Sequence, residues 1–390
     1  MGAHEGTVDG AAAELLAAPA GRRVEGARRP GGDDGERSSA HRLAGRHRVS
    51  EPTVVLGAGA PARVRRSRLI DRGFRGTTLV VGLGLIALLA LLLVELTTGA
   101  WRTFDRFGLH FFVGTSWNPV AGREAFGALP FIFGSLVTSG VAIVIGVPIA
   151  VGLALLLNQV RGAIANPLAV FVDILAAIPS VVYGLWALFV LKPILDSSVE
   201  PFLIGTLGKV PAIGAVFHGK AQGPDLFTAG VILAIMILPI VTAVSREVIA
   251  VVPRDLREAA LALGATRYES VRLAVLPYAR SGIVGASMLG LGRALGETIA
   301  VSLVVGNTPR IGWSLMDPGA TIPSWIASSF REATSVGLHR SALLALAVTL
   351  VVMAFILALL SRLLVRRTAE LVSGPSANVP VTQGVLPTAG

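Results

Sequence analysis

The sequence predicts an all-α, polytopic membrane protein with six transmembrane helices, and three observations lead there. Hydrophobic residues make up 53% of the 390 residues and charged ones only 15%, at a mean hydropathy of +0.70, a balance hard to place in one soluble domain. Six long runs nearly free of charge, roughly 76–98, 129–158, 167–192, 226–250, 281–306 and 340–364, each come near or exceed the length of a span, which is about 20 residues. The fifth run carries Arg293 and Glu297 in its middle. An ionisable side chain near the bilayer centre costs about 3 kcal/mol on insertion scales, so it faces a partner, a cavity or a transported ion.

Ahead of the first run, residues 1–68 form a Gly-, Ala- and Arg-rich arm around Arg28-Arg29-Pro30-Gly31-Gly32-Asp33-Asp34-Gly35, with little apolar periodicity and an expectation of disorder. Its start holds no apolar core of a signal peptide. Its arginines set topology within a solvated tail, or hold the arm against anionic headgroups. Residues 69–368 make the six-helix domain, and residues 369–390, with Pro375, Pro380 and Pro387, a loose tail. Arg63, Arg65, Arg66, Arg68, Arg72 and Arg75 precede the first run; Arg254, Arg257, Arg267, Arg272 and Arg280 crowd the fourth connection; Arg362, Arg366 and Arg367 follow the last run. The alternate connections are poorer in positive charge, with Lys192, Lys209 and Lys220 read as lying in one external loop. By the positive-inside bias both termini are cytoplasmic.

Within the third run Pro179 breaks the helix, and Ser180 is placed to satisfy freed carbonyls or to touch a solute. Asp173, six residues earlier, either bonds a cytoplasmic arginine or lines a pathway. Tyr183 and Trp186 read as packing or interfacial aromatics.

The fourth connection, 252–280, reads as two short helices at an angle: Pro253 and Asp255 start one, Gly264 ends it, and Pro277 marks a further break. Small Ala259 and Ala260 beside Gly264 leave room for another protein, with Arg257, Glu258 and Arg267 at the rim. The same pattern also suits an amphipathic connector lying on the membrane surface.

In the fifth run Arg293 and Glu297 stand four apart, on one face of a continuous helix, where they pair. Gly290, Gly292 and Gly296 clear the space around them. Cysteine is absent, which excludes disulfides, thiolate metal sites and a cysteine nucleophile. The six histidines lack metal-ligand spacing, so no metal site is expected. No Gly-x4-Gly-Lys-Ser/Thr occurs, so the chain is not its own ATPase.

Glu258-Ala259-Ala260, then Gly264, then Leu276-Pro277 resemble the EAA loop of ABC importer permeases, with Ala274 where that pattern usually has isoleucine. Together with Ala176-Ala177-Ile178-Pro179-Ser180 through Trp186, and Gly290 through Thr298, residues of about 70–370 resemble the PstC-type permeases of phosphate importers. The arm lies outside that pattern. The resemblance implies a type I ABC importer permease fold in the bacterial plasma membrane. It implies ATPase coupling through Glu258, Ala259, Ala260 and Gly264, and translocation through Arg293, Glu297, Thr298 and Ser180. No residue is expected to be catalytic. The partners implied are a PstA-type permease completing a heterodimer, two copies of an ATPase subunit that carries ATP and magnesium, an extracytoplasmic phosphate-binding protein and membrane lipid, with no nucleic acid. A permanently charged guanidinium grips a tetrahedral oxyanion with two parallel hydrogen bonds. A carboxylate accepts the proton that phosphate retains and sulfate lacks. The alternative reading of the pair is a structural ion pair holding helices together. A sulfate or molybdate permease is the nearest alternative function; a secondary transporter would show an inverted repeat, and the two halves are not alike.

Overall fold

The computed structural model describes residues 60–160, 165–211, 213–220, 223–333 and 337–370. Its first helix, α1 (Ala60–Phe107), starts nine residues before the predicted beginning of the six-helix domain at residue 69. Residues 60–68 are therefore helical rather than part of a disordered arm, because Ala60-Pro61-Ala62 opens a run of helix-compatible residues and proline suits a first turn. The rest of that arm, and the tail after residue 370, lie outside the described residues.

From Leu79 to Val94 the large apolar side chains of α1 stand exposed, as a helix facing hydrocarbon requires. Its last turns are held: the Thr103 hydroxyl donates to Ser341 Oγ at 2.9 Å. α2 (His110–Val113) follows, and then a two-stranded antiparallel hairpin, β1 (Trp117–Asn118) with β2 (Ala125–Phe126), in which Trp117 pairs with Phe126. Trp117 packs edge-on against Phe126, Phe131 and Trp325, closing an aromatic cap over this end.

The core of the domain is α3 (Leu129–Gln159) against α8 (Leu226–Ala250). Their close approach depends on glycine: a β-carbon at Gly146 would lie 3.0 Å from the Ala234 carbonyl oxygen, and one at Gly230 only 2.5 Å from Val141. Between them in sequence run α4 (Ala165–Ala177) and α5 (Ser180–Trp186), bent by 96° at Pro179 as predicted. The second limb continues without a loop through α6 (Lys192–Ile194) and α7 (Glu200–Thr206), joined by π-helical turns at Ala187–Leu191 and Leu195–Val199.

The external loop expected around Lys192 is thus a helix, and Lys192 is buried in it. Its ammonium meets Asp196 at 2.7 Å, Glu200 at 2.9 Å and Asp225, the residue that caps α8. Asp225 Oδ1 also accepts from the Thr228 amide at 2.6 Å. Three carboxylates share one cation, and the cluster pins the second limb of the bent pair to the start of α8.

After α8 come α9 (Arg254–Ala262), α10 (Arg267–Ser270), α11 (Leu276–Gly296) and α12 (Ile299–Val304). α13 (Ile322–Ser329) and α14 (Leu338–Glu370) follow. Among the described residues four helices are long and apolar enough to cross a membrane, over Gly73–Phe107, Leu129–Gln159, Leu226–Ala250 and Leu338–Leu363; the bent pair Asn166–Ala177 and Ser180–Lys209 makes a fifth candidate. The expectation of six spans is corrected at the fifth run, where Arg280, Arg293 and five glycines dilute the apolar character of α11 and the helix stops at Gly296.

Candidate functional site

The two interrupted helices pack on one another. A β-carbon at Gly184 would lie 2.8 Å from Ala300 Cα, so α5 meets α12 backbone to backbone. Proline at 179 disfavours helical geometry at Ile178 and cannot donate a hydrogen bond. Tyr183, buried, repairs part of the loss by donating its hydroxyl to the Leu175 carbonyl across the bend at 2.7 Å. Its role is therefore packing, as expected, with a carbonyl satisfied as well.

Beside this crossing α4, α5, α8 and α11 enclose a cavity of about 210 Å³, lined by Asp173, Tyr183, Met236, Pro239, Ile240 and Arg293 among others. Arg293 and Asp173 are its charged lining residues. Of the three glycines around Arg293, Gly290 abuts Val241 on α8, where a β-carbon would come within 2.6 Å, whereas Gly292 and Gly296 face open space.

Glu297 does not pair with Arg293. The helix ends at Gly296, and Glu297 turns into extended geometry with φ −71° and ψ 127°. Its Oε1 instead accepts from the Ala300 amide at 3.4 Å, at the beginning of α12. A carboxylate is stabilised at the first turn of a helix, where amides are unpaired and the dipole is positive, so the break gives Glu297 a better place than the i,i+4 position of a continuous helix. Thr298, half-buried, donates its hydroxyl back to the Gly296 carbonyl at 3.2 Å. Ser180, half-buried, opens α5 just after the proline. Of the four residues expected to serve translocation, Arg293 lines the cavity; Ser180, Glu297 and Thr298 sit at the two helix breaks.

The 252–280 connection builds a second surface. α9 ends in a paired hydrogen-bond motif, Ala265 N–H to the Ala260 carbonyl at 3.1 Å and Gly264 N–H to the Leu261 carbonyl at 3.0 Å. That turn places Gly264 at φ +86°, a region only glycine enters freely. Thr266 then caps the next helix in a reciprocal box with Glu269: Thr266 N–H donates to Glu269 Oε2 at 2.8 Å, and Glu269 N–H donates to Thr266 Oγ1 at 3.2 Å. The two hydrogen bonds from Thr266, the backbone one first, hold the Glu269 carboxyl below its usual range. Pro277 does not break the chain as expected. A π-helical turn at Val271–Val275 joins α10 to α11, and its shifted bonding accommodates the proline at the start of α11.

Ala259, Ala260, Leu263, Gly264, Leu273 and Ala274 line an open hollow of about 550 Å³, with Leu263 90% exposed at its edge. Glu258 and Ala259 are exposed and Ala260 half-buried. The small side chains lie together on one face, and an apolar knob projects beside them.

The model of the family described as binding-protein-dependent transport system inner membrane component matches residues 142–370. The phosphate transport system permease protein PstC of Haemophilus influenzae is 42% identical over 302 residues, 77% of this chain and 95% of that protein. The chain belongs to the PstC permease family. The PstC protein of Mesorhizobium japonicum is similar too, 40% identical over 320 residues, 82% of this chain and 97% of its own. Among solved structures, the MetNI methionine ABC transporter in inward facing conformation matches at a TM-score of 0.42 and 20% identity, over 61% of this chain and 94% of that one. By its family match and its PstC relatives the chain is a multi-pass component of the inner membrane, the permease rather than the ATPase of a binding-protein-dependent ABC transporter.

Two features of this permease escape a reading of its sequence. Asp173, one of whose two readings placed it on a pathway, shares the cavity of Arg293 although 120 residues separate them. The Lys192 cluster had a signal in the spacing Lys192, Asp196, Glu200, every fourth residue and hence one helix face, but its fourth member, Asp225, is joined only by the fold. The reciprocal box, which the sequence reading did not use, has a signal in the spacing Thr266-x-x-Glu269.

Proposed function

We propose that the chain forms half of the membrane pathway of an ATP-driven importer of inorganic phosphate, with Arg293 as the residue that receives the anion. The observation carrying this is a cavity between two interrupted helices that contains one guanidinium and one carboxylate, Arg293 and Asp173, unpaired with each other. Arg293 supplies two parallel donors to a tetrahedral oxyanion. Asp173, rather than Glu297, supplies the acceptor for a phosphate hydroxyl, and sulfate, having no proton to donate, meets an unpaired carboxylate there. The names of the PstC relatives support phosphate as the solute.

The second permease is of PstA type, and two ATPase subunits holding ATP and magnesium dock on the hollow formed by Ala259, Ala260 and Gly264, with Glu258 at its rim. An extracytoplasmic phosphate-binding protein delivers the solute to the opposite face. In the reconstituted complex, phosphate-loaded binding protein should stimulate ATP hydrolysis and sulfate-loaded binding protein should not. Stimulation by the sulfate-loaded form alone would move the chain to another oxyanion.

The α11–α12 pair is the sixth crossing in this reading, which places both termini in the cytoplasm along with the 252–280 connection. Reporter fusions near residues 60, 265 and 372 should then report inside, and fusions near 210 and 320 outside. An inside signal at 210 would overturn the six-crossing arrangement.

A further inference from the structure

Behind the coupling helix lies a second cavity, of about 390 Å³, between the last turn of α3 and the face of α9 opposite the hollow. Asn158, Gln159, Arg257, Leu261, Arg267 and Ser270 line it. Its charge is uncompensated: two guanidiniums and no carboxylate face it, and among the described residues neither arginine joins an ion pair. Arg257 donates from Nη2 to the Ile249 carbonyl at 2.9 Å, and its Nε is buried with no partner. A buried guanidinium N–H without an acceptor is an unfavourable state that a ligand oxygen relieves. The guanidinium of Arg267 and the remaining donors of Arg257 suit a group with several anionic oxygens on a tetrahedral centre, while the Ser270 hydroxyl donates to the Arg257 carbonyl at 3.4 Å and steadies that wall. The cavity exceeds what such a group fills and is open at one side, which leaves room for a substituent on one of its oxygens.

We infer that this cavity binds a phosphate group, either the headgroup of an anionic phospholipid or free inorganic phosphate. Arg257 precedes the Gly264 turn and Arg267 follows it, so an anion held between them ties α9 to α10 across the turn. Occupancy thereby stiffens the surface on which the ATPase is proposed to dock. The lipid source rests on the cytoplasmic placement of this connection, where the leaflet is anionic; the free-phosphate source would report the transported product to the coupling helix.

The test uses the whole transporter in nanodiscs, with Arg293→Gln as the background so that the translocation cavity contributes no phosphate. Native mass spectrometry of discs containing phosphatidylglycerol counts retained anionic lipid, and radiolabelled inorganic phosphate binding is measured in discs of phosphatidylcholine alone. Arg257→Gln with Arg267→Gln should lose one equivalent of retained lipid if the headgroup is the ligand, or one equivalent of bound phosphate if the free anion is. Should the double change prevent assembly, Arg267→Gln alone, at an exposed side chain, should weaken the same binding at least about tenfold. Unchanged lipid retention together with unchanged phosphate binding overturns the inference, and does so without touching the translocation reading, which the uptake of the Arg293 variant decides separately.

Discussion

Arg293→Gln should leave the transporter assembled and cut phosphate uptake about 100-fold. The size follows from losing a charge-assisted bond pair to the anion, worth about 3 kcal/mol, at about 1.4 kcal/mol for each factor of ten. Because Glu297 caps α12 instead of pairing with Arg293, the substitution orphans no buried ion-pair partner. The heavy destabilisation of a broken buried pair, about 3–5 kcal/mol, is therefore not expected. For the same reason Arg293→Gln with Glu297→Gln should transport no better than Arg293→Gln alone, whereas a structural ion pair would regain function once both charges were gone. Uptake of radiolabelled phosphate by cells or proteoliposomes, normalised to assembled complex, decides it. Near-normal uptake by either variant would remove Arg293 from the pathway.

The second large effect is expected at Gly264. Its β-carbon position is open, with no atom within 4 Å, so a side chain there meets no steric obstacle in this subunit. The obstacle is the backbone: φ is +86°, and left-handed geometry costs a non-glycine residue about 1–2 kcal/mol. Gly264→Trp should distort the end of α9, fill the hollow beside Ala259 and Ala260, and abolish ATP-driven uptake while the permease still inserts and the binding protein still docks. Asparagine tolerates this backbone region and is small, so Gly264→Asn should keep most of the activity. Co-purification of the ATPase together with uptake separates the cases. Normal values for the tryptophan variant would reduce the connection to a simple linker.

Much of this architecture was legible because membrane insertion is governed by composition summed over about 20 residues, which a sequence displays directly. The bend at Pro179 was legible as well, since proline removes a donor wherever it sits. Pro277 shows the limit of that rule. A π-helical turn just before it absorbs the same chemistry without a break.

The site divides along the same line. Residue type alone told that a charge inside an apolar run needs a reason, and it located Arg293. The partner did not follow from spacing, because the i,i+4 rule presumes a helix that continues, and this one ends at Gly296 where Glu297 finds the unpaired amides of α12. Asp173 beside Arg293, Asp225 beside Lys192, and Arg257 with Arg267 around one cavity are likewise joined by packing between separate helices. The sequence by itself determined the solvent, most of the membrane segments, the class of the chain and the short helices of the 252–280 connection, all of which depend on local composition and order. Only the tertiary structure decided which charges meet and which helices stop, because those depend on groups brought together across tens to a hundred residues.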